Sequence, residues 1–166
     1  GECNMDTGMA TIAAASPLLE LLDVSYCESV TDVSINAVAQ HCPELRTLKV
    51  RGTRGITDES IIGIARCCPR LSHLDVANTR GRIRDASVRV VADRCPELRH
   101  ITVAGTERGV TDASVGQIVQ QCPLLEHLDV SFTYDAITDA SLTHVSQLCP
   151  RLRFFSAAGT GGEVTD

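Results

Sequence analysis

Hydrophobic residues recur along this 166-residue chain in two alternating patterns. The first pattern is Leu-x-x-Leu-x-Val, in which the last two apolar positions are separated by a single residue. This alternation predicts a short β-strand whose alternate side chains face a core. The pattern occurs six times with small substitutions, and its copies begin at Leu19, Leu45, Leu71, Leu98, Leu125 and Leu152.

The second pattern places apolar residues at i, i+3, i+4 and i+7, which is the spacing of one helical face. Ile35, Val38, Ala39 and Cys42 form the first clear copy, and equivalent residues follow in the later units. A proline comes directly after the last apolar position, where it prevents another helical turn. Each unit is therefore predicted to consist of a strand, a turn, a helix and a short connection that leads to the next strand.

The units repeat at an almost constant spacing, which is visible in the prolines. The intervals between these prolines are 26, 26, 27, 27 and 27 residues. A period of this size is typical of leucine-rich repeats, in which neighbouring units stack and bury a continuous core. We expect an α/β solenoid with a parallel sheet on the concave side and helices on the convex side. The prolines are Pro17, Pro43, Pro69, Pro96, Pro123 and Pro150.

Polar residues also hold fixed places in the unit. A turn after each strand carries a residue that we expect to tie the backbone amides of the bend. Thr-Asp then opens each helix, with a hydroxyl as N-cap and an acid that suits the helix dipole, although one copy has Arg84-Asp85. The turn residues are Cys27, Thr53, Thr79, Thr106, Thr133 and Thr160.

We expect a single repeat domain over residues 1–166, made of about six repeats. Asp6 and Asp166 stand at the same phase of the unit, 160 residues apart. This phase predicts a fragment of a longer array whose ends lack capping units. Uncapped ends would favour fraying or end-to-end association.

Composition narrows the possible functions. Apolar residues make up 43% and charged residues 22% of the chain, as in ordinary folded domains. The net charge of −6 argues against general nucleic-acid binding, and no apolar run is long enough for a membrane span. Five of the eight cysteines share one repeat position, so we predict a reduced, buried ladder and an intracellular location, cytoplasmic or nuclear. These are Cys42, Cys68, Cys95, Cys122 and Cys149.

The units follow the pattern Cys-Pro-x-Leu-x-x-Leu-x-Leu-x-x-Cys-x-x-Ile-Thr-Asp, and in this the chain resembles the cysteine-containing leucine-rich repeats along essentially its whole length. The resemblance implies a horseshoe-like solenoid. It also implies a relationship to F-box substrate receptors of cullin-type ubiquitin ligases. The second cysteine of that pattern is present only as Cys27 and is threonine in the other copies.

The residue between the core leucines should face the concave solvent, and in three neighbouring copies it is histidine: His73, His100 and His127. Adjacent strands lie roughly 4.8 Å apart, so these imidazoles should nearly touch. Asp75 and Asp129 follow two residues later on the same face. A metal site, a pH-sensitive binding patch and a solvated polar ladder are all compatible with this column.

Two further groups of residues differ between copies and are candidates for partner binding. Arginines after three neighbouring strands should form a basic edge, suited to an acidic or phosphorylated ligand unless nearby acids such as Glu107 neutralise it. Aromatic residues in the last two units, Phe132, Tyr134 and Phe154, should lie on the concave face or its rim. The arginines are Arg51, Arg54, Arg80, Arg82, Arg84 and Arg108.

Nothing in the sequence indicates catalysis. The serines at helix starts occur in every full unit and therefore serve the repeat, and Gly159 to Gly162 lack the context of a phosphate loop. We predict a non-enzymatic protein-interaction module without cofactors, which binds a protein through its concave face and adjoining loops. The alternatives are the substrate-recognition part of a ubiquitin ligase, a structural scaffold, and a metal-dependent activity of the histidines.

Overall fold

The computed structural model describes residues 5–160 and shows six repeated units in that range. The helices are α1 (Asp6–Ala15), α2 (Asp32–His41), α3 (Asp58–Cys67), α4 (Asp85–Arg94), α5 (Asp112–Gln121) and α6 (Asp139–Leu148). The strands are β1 (Leu21–Asp23), β2 (Thr47–Lys49), β3 (His73–Asp75), β4 (His100–Thr102), β5 (His127–Asp129) and β6 (Phe154–Ser156). A short 3-10 helix, Tyr134–Ala136, precedes α6.

The strands form one parallel sheet in the order β1-β2-β3-β4-β5-β6, and consecutive helices pack against each other in the same order. Equivalent repeat positions stay in register, as where Leu48 pairs with Leu74. Strands are spaced by roughly 4.8 Å and packed helices by roughly 8 to 10 Å, so the array must curve with its sheet inside. The predicted α/β solenoid is therefore confirmed.

The core is a continuous strip between the sheet and the helices. Leu48 and Leu74 point into it from their strands, and Ile35 and Val38 point into it from α2, all almost fully buried. Each buried aliphatic side chain contributes on the order of 1.5 to 3 kcal/mol, which a single unit could not obtain without neighbours. In the described part of the chain the α-helices have ten residues each, and no helix there could cross a membrane.

The cysteine that ends each helix lies inside this strip. The Cys68 thiol donates to the backbone oxygen of Cys42 in the preceding unit, at 3.4 Å. Burial raises the pKa of Cys68, Cys95 and Cys122 to about 12. The seven cysteines within residues 5–160 are free; those of the ladder are buried, as predicted, and Cys67 is exposed.

The buried threonines of the turns bond differently from the prediction. The Thr79 hydroxyl donates to the Val76 carbonyl at 3.1 Å, and the Thr106 hydroxyl does the same to Val103 at 2.8 Å. The expectation that this position ties backbone amides is therefore wrong. Backbone hydrogen bonds between units continue past the valine, as where the Asn78 amide donates to the Ala104 carbonyl at 2.7 Å. The buried valine carbonyl itself takes its donors from within the turn.

A second polar ladder joins consecutive units at the helix N-termini. Thr57 caps its own helix by accepting from the Glu59 amide at 3.3 Å, as predicted. Its backbone N–H and hydroxyl also donate to Asp32 of the preceding unit, at 2.8 and 2.6 Å. The sequence prediction missed this role of the acid. Equivalent bonds to the next unit are made by Asp6, Asp58, Asp85 and Asp112.

Serines complete this aspartate ladder, which confirms their structural role. Ser34 donates to Asp6 at 2.5 Å, and Ser114 donates to Asp85 at the same distance. Burial acts to raise the pKa of Asp6 and Asp112, but hydrogen bonds from the serine and threonine of the next unit outweigh it and hold both pKa values below the usual range.

One position in the turn after each strand alternates between a larger residue and glycine from unit to unit. In all six described units the residue at this position has a left-handed backbone conformation. A Cβ on Gly52 would lie 2.6 Å from Cδ1 of Tyr26, and one on Gly159 would lie 2.7 Å from Cδ1 of Phe132. Each larger side chain thus covers the glycine of the next unit. The positions are Tyr26, Gly52, Asn78, Gly105, Phe132 and Gly159, with φ between 56° and 69°.

Candidate partner-binding surface

Four parallel rings form a stack across the exposed face of the sheet. The ring centroids of His73 and His100 are 4.1 Å apart, those of His100 and His127 are 5.4 Å apart, and those of His127 and Phe154 are 4.1 Å apart. The interplanar angles are 17°, 15° and 7°. The predicted proximity of the three histidines is confirmed, and Phe154 extends their column by a fourth ring.

The register of the sheet explains the stack. His73 pairs with His100, His100 with His127, and His127 with Phe154, so the four side chains leave successive strands at the same height. In β1 to β5 the second residue is buried and the first and third are at least partly exposed, as in β3, where Leu74 is buried. In β6 both Phe154 and the second residue, Phe155, are exposed. The rings therefore line the face opposite the core, where a partner could touch them.

The neutral imidazole is favoured at the first two rings. Partial burial, followed by the positive charges of Lys49 and Arg99, lowers the pKa of His73. Burial and then the two neighbouring imidazoles lower the pKa of His100. These rings therefore present hydrogen-bonding edges rather than fixed positive charge near neutral pH.

Polar residues beside the stack are already engaged with one another. Ser72 Oγ lies 2.9 Å from Nδ1 of His73. Arg99 donates to Glu126 at 2.6 Å, and this hydrogen bond lowers the pKa of Glu126. This pair was not singled out from the sequence, although both residues directly precede a histidine of the column.

The histidine column is not shaped as a metal site. Among residues 5–160, no group of three or more His, Cys, Asp or Glu side chains could hold a metal ion. The rings turn their faces toward one another, so their nitrogens do not converge on one point. Asp75 and Asp129 lie on the same face, but the pairing of β3, β4 and β5 places Thr102 between them.

These two carboxylates also have structural partners. Asp75 accepts from the Ala77 amide and Asp129 from the Ser131 amide, both at 3.0 Å. Asp75 additionally lies 3.9 Å from Arg51. Each carboxylate keeps a second oxygen that is free of these backbone bonds, so the acids can still contribute to a polar surface beside the rings.

The predicted basic edge divides into two groups. Arg51, Arg54 and Arg108 form ion pairs with Asp75, Glu28 and Asp135, respectively. Arg80, Arg82 and Arg84 are exposed and form no ion pair within the described range 5–160. The loop 79–84 between β3 and α4 borders two open cavities, one lined by Arg80, Arg82 and Arg84 and the other by Arg84, Glu107 and Arg108.

The three candidate aromatic residues occupy two different places. Phe154 belongs to the ring stack and is 45% exposed. Phe132 and Tyr134 lie in the turn after β5, where they are 58% and 54% exposed, and Tyr134 borders a cavity together with Glu107 and Arg108. Tyr26 was not predicted; it is 65% exposed and accepts a 3.0 Å hydrogen bond from Arg51 Nε.

No protein-family model and no curated protein sequence matches the chain. Solved structures do share its fold. Rad7, in the structure of the Rad7 and Elc1 complex in yeast, has 17% sequence identity and a TM-score of 0.81. The likeness covers 97% of this chain and 42% of the Rad7 chain, so this chain spans about two fifths of Rad7.

Two further structures are similar over most of both chains. Leiomodin-1 actin-binding site 2 has 12% identity and a TM-score of 0.68, with 91% of this chain and 90% of that chain covered. The tropomodulin C-terminal domain of Caenorhabditis elegans has 11% identity and a TM-score of 0.64, with 88% and 92% covered. At such identities the likeness concerns the fold alone. Together with the repeated parallel units, it identifies the chain as a repeat protein with a leucine-rich-repeat-like fold.

Proposed function

We propose that this chain is a non-enzymatic interaction module that holds a protein partner against the exposed face of its sheet. The observation that carries this proposal is the stack of His73, His100, His127 and Phe154. Aromatic residues are favoured at the centres of protein interfaces. Stacked side chains have already lost much of their conformational freedom. Their further loss of conformational entropy when a partner covers them is therefore small.

The repeat itself supports this choice of surface. Core positions such as Leu48 and Leu74 repeat from unit to unit and are buried, so the fold accounts for them. The ring column instead changes along the sheet, from Leu21 and Thr47 through the histidines to Phe154. A column that varies while facing solvent is free to suit a partner.

The similar structures support the same class of function. Rad7 was solved in complex with Elc1, and the leiomodin fragment is named as an actin-binding site. Neither name transfers a partner to this chain at 17% or 12% identity. They support the proposal that this fold presents a surface to other proteins.

The proposal is tested by affinity purification from cells with the chain as bait. In a first variant, His100→Ala, His127→Ala and Phe154→Ala remove the centre of the stack. In a matched control, Gln40→Ala and Gln121→Ala change exposed residues of the convex helices. We expect partners retained by the natural chain to be lost from the first variant and kept by the control. Loss only with the convex changes would overturn the proposal.

A more specific function follows from the resemblance to cysteine-containing repeats. We infer as the second candidate the substrate-recognition part of an SCF-type ubiquitin ligase; a scaffold of a larger assembly is a third. The Cys-Pro-x-Leu pattern of the units and the structural likeness to Rad7 support the ligase candidate. Recovery of a cullin and its adaptor with the full-length protein would support it, whereas recovery of stable structural subunits alone would favour the scaffold.

We further propose an intracellular location, in the cytoplasm or nucleus. The support is chemical: the seven cysteines of residues 5–160 are free, and Cys67 is exposed to solvent. Such thiols persist in reducing compartments. Fractionation of cells that express the tagged full-length protein tests this location.

A further inference from the structure

We propose that the loop 79–84 binds a phosphate group carried by a protein partner, with Arg80, Arg82 and Arg84 as its ligands. This inference rests on the proposed function, because it adds a specific chemical preference to the rim of the same partner-binding surface. The three arginines lie in one turn between β3 and α4 and are all exposed.

Within the described structure the guanidinium groups of these three arginines form no ion pair. The other three arginines of the basic edge each have an acidic partner, at 3.9 Å for Arg51, 3.8 Å for Arg54 and 3.0 Å for Arg108. For residues 5–160, no such partner is found for Arg80 or Arg82. Three guanidinium groups in one short loop repel one another, and a bound anion would relieve this repulsion.

The loop is held so that the three side chains surround one space. Ile83 is fully buried between Arg82 and Arg84 and fixes the loop to the core. Arg80 and Gly81 have φ values of 55° and 68°, which reverse the chain at this point. The resulting open cavity has a volume of about 570 Å³, and it is lined by Thr57, Asp58, Arg80, Gly81, Arg82 and Arg84.

Arg84 departs from the repeat in a way that supports this role. The equivalent position before α2, α3, α5 and α6 is a threonine that caps the helix. Arg84 makes no such cap bond; its Nε donates instead to the Gly81 carbonyl at 3.2 Å, which turns the guanidinium back toward the loop. The unit has thus exchanged a structural hydroxyl for a positive charge at the cavity.

Two carboxylates border the loop and limit what can bind. Asp58 already accepts from the Arg84 amide at 2.8 Å and from Ser87 at 2.5 Å. Glu107 lies against Gly81, with Oε2 3.1 Å from where a glycine Cβ would stand, and it opposes an incoming anion. A phosphate monoester carries up to two negative charges and fits the guanidinium fork, so it gains more here than a single carboxylate does.

A phosphorylated protein segment fits this site better than a membrane. No large apolar side chain is exposed between Val33 and Phe132, a range that includes this loop and the turns of the two adjoining units, so these three turns offer no side chain for insertion into a bilayer. The exposed ring of Tyr134 lies one turn further along the array. The net charge of −6 would also repel an extended anionic surface. The compact positive cluster instead matches one phosphate on a chain that lies along the rim.

The test uses a short Gly-Ser peptide with one phosphoserine, titrated into the isotopically labelled chain and followed by NMR. We expect the amide signals of residues 80–86 to shift, and the unphosphorylated peptide to bind at least about tenfold more weakly. Arg80→Glu with Arg82→Glu should reduce phosphopeptide affinity by about tenfold or more. The matched control, Arg89→Glu with Arg94→Glu, makes the same charge change on the exposed side of α4 and should leave affinity within about twofold.

A gain of affinity gives a second test. Glu107→Gln removes the opposing charge and should tighten phosphopeptide binding by several-fold, without affecting the unphosphorylated peptide. The inference is overturned by equal losses in the test and control charge reversals, or by absence of binding at millimolar peptide. Tight binding of phosphoinositide vesicles that depends on Arg80 and Arg82, without phosphopeptide binding, would overturn it in favour of a membrane.

The ring variant separates this inference from the proposed function. His100→Ala, His127→Ala and Phe154→Ala should leave phosphopeptide binding at the loop unchanged. If cellular partners are lost with the ring variant but the phosphopeptide never binds, the interaction surface stands and only the phosphate site is wrong. If the phosphopeptide binds and the ring variant retains every partner, the phosphate site stands without the concave surface.

Discussion

Asp112 and Thr138 are joined by two hydrogen bonds across the boundary between two units. The Thr138 amide donates to Oδ1 at 2.9 Å, and the Thr138 hydroxyl donates to Oδ2 at 2.5 Å. Ser141 also donates to Asp112. One carboxylate therefore fixes the start of the next helix, and the same arrangement recurs along the array.

The first prediction concerns this carboxylate. Asp112→Ala leaves the donors of Thr138 and Ser141 without their acceptor in a half-buried place, so we expect a loss of about 1 to 3 kcal/mol in the free energy of unfolding. Urea denaturation measures it. As a control, Asp135→Ala removes an exposed partner of Arg108 and should cost less than about 1 kcal/mol. Equal losses in the two variants would contradict the role assigned to the aspartate ladder.

The second prediction concerns the glycine covered by Tyr26. Gly52→Ala places a Cβ 2.6 Å from the ring at a φ of 69°, so we expect a loss of about 1 to 3 kcal/mol in stability. Gly8→Ala is the matched control, because a Cβ there meets nothing within 4 Å. Gly8 lies inside α1, so this change should stabilise the chain by about 0.5 to 1 kcal/mol.

A double-mutant cycle isolates the contact itself. Gly52→Ala in a Tyr26→Gly background should cost less than in the natural chain, because only the backbone strain remains. Thermal or urea unfolding of the four proteins gives the coupling between the two positions. An additive result would mean that the ring of Tyr26 moves aside freely and does not constrain Gly52.

The third prediction concerns thiol reactivity. Cys67 is exposed and should react rapidly with a thiol reagent in the native protein, whereas burial holds the pKa of Cys68 at about 12 and keeps this neighbouring thiol unreactive. Cys67→Ser should remove the rapid label from the peptide that contains residues 67 and 68, and unfolding should expose the ladder. Rapid native labelling of Cys68, Cys95 or Cys122, located by mass spectrometry, would show that the stack opens more readily than its packing indicates.

The fourth prediction is a loss of stability in mild acid. The folded pKa of His73 and His100 lies below the ordinary value of about 6.5, so the unfolded chain takes up protons first as pH falls. The free energy of unfolding should therefore fall as pH is lowered from about 6.5 through the folded pKa values. It should be retained above that window.

NMR titration of the imidazole C–H signals measures these pKa values directly. His100→Phe keeps a ring in the stack but removes one proton site, so its stability should fall less between pH 8 and pH 5.5 than that of the natural chain. Thr102→Val changes a neutral residue on the same strand and should preserve the natural pH dependence. A His100 pKa above 6.5 would contradict the prediction.

The units were predictable because local chemistry and the repeat agree. Leu-x-x-Leu-x-Val, the helical spacing and the proline after each cysteine each indicate one element, and six copies repeat the same evidence. The aspartate ladder was missed because its bonds join residues 25 to 29 positions apart, such as Asp32 and Thr57 or Asp6 and Ser34. The favourable interaction of an aspartate with the helix dipole already explained its place at the helix start, so no contact with the next unit was sought.

The candidate surface was predictable only in outline. Repeat phase placed the three histidines and Phe154 in one column, but the parallel alignment of the rings depends on side-chain rotation and the curvature of the sheet. The sequence also could not separate the paired arginines from the unpaired ones. Arg108 meets Asp135 across two turns, whereas Asp58, which borders the loop of Arg80 and Arg82, is already bound to the Arg84 amide and to Ser87.

The alternation of large residues and glycine means that this protein can be lengthened or shortened cleanly only two units at a time. Removal of the single unit that contains Gly52 would bring Tyr26 against Asn78, and each has a side chain at the crowded turn. Removal of the units that contain Asn78 and Gly105 would instead place Gly52 before Phe132, as Gly105 already stands before it. The building block for engineering is therefore a pair of units.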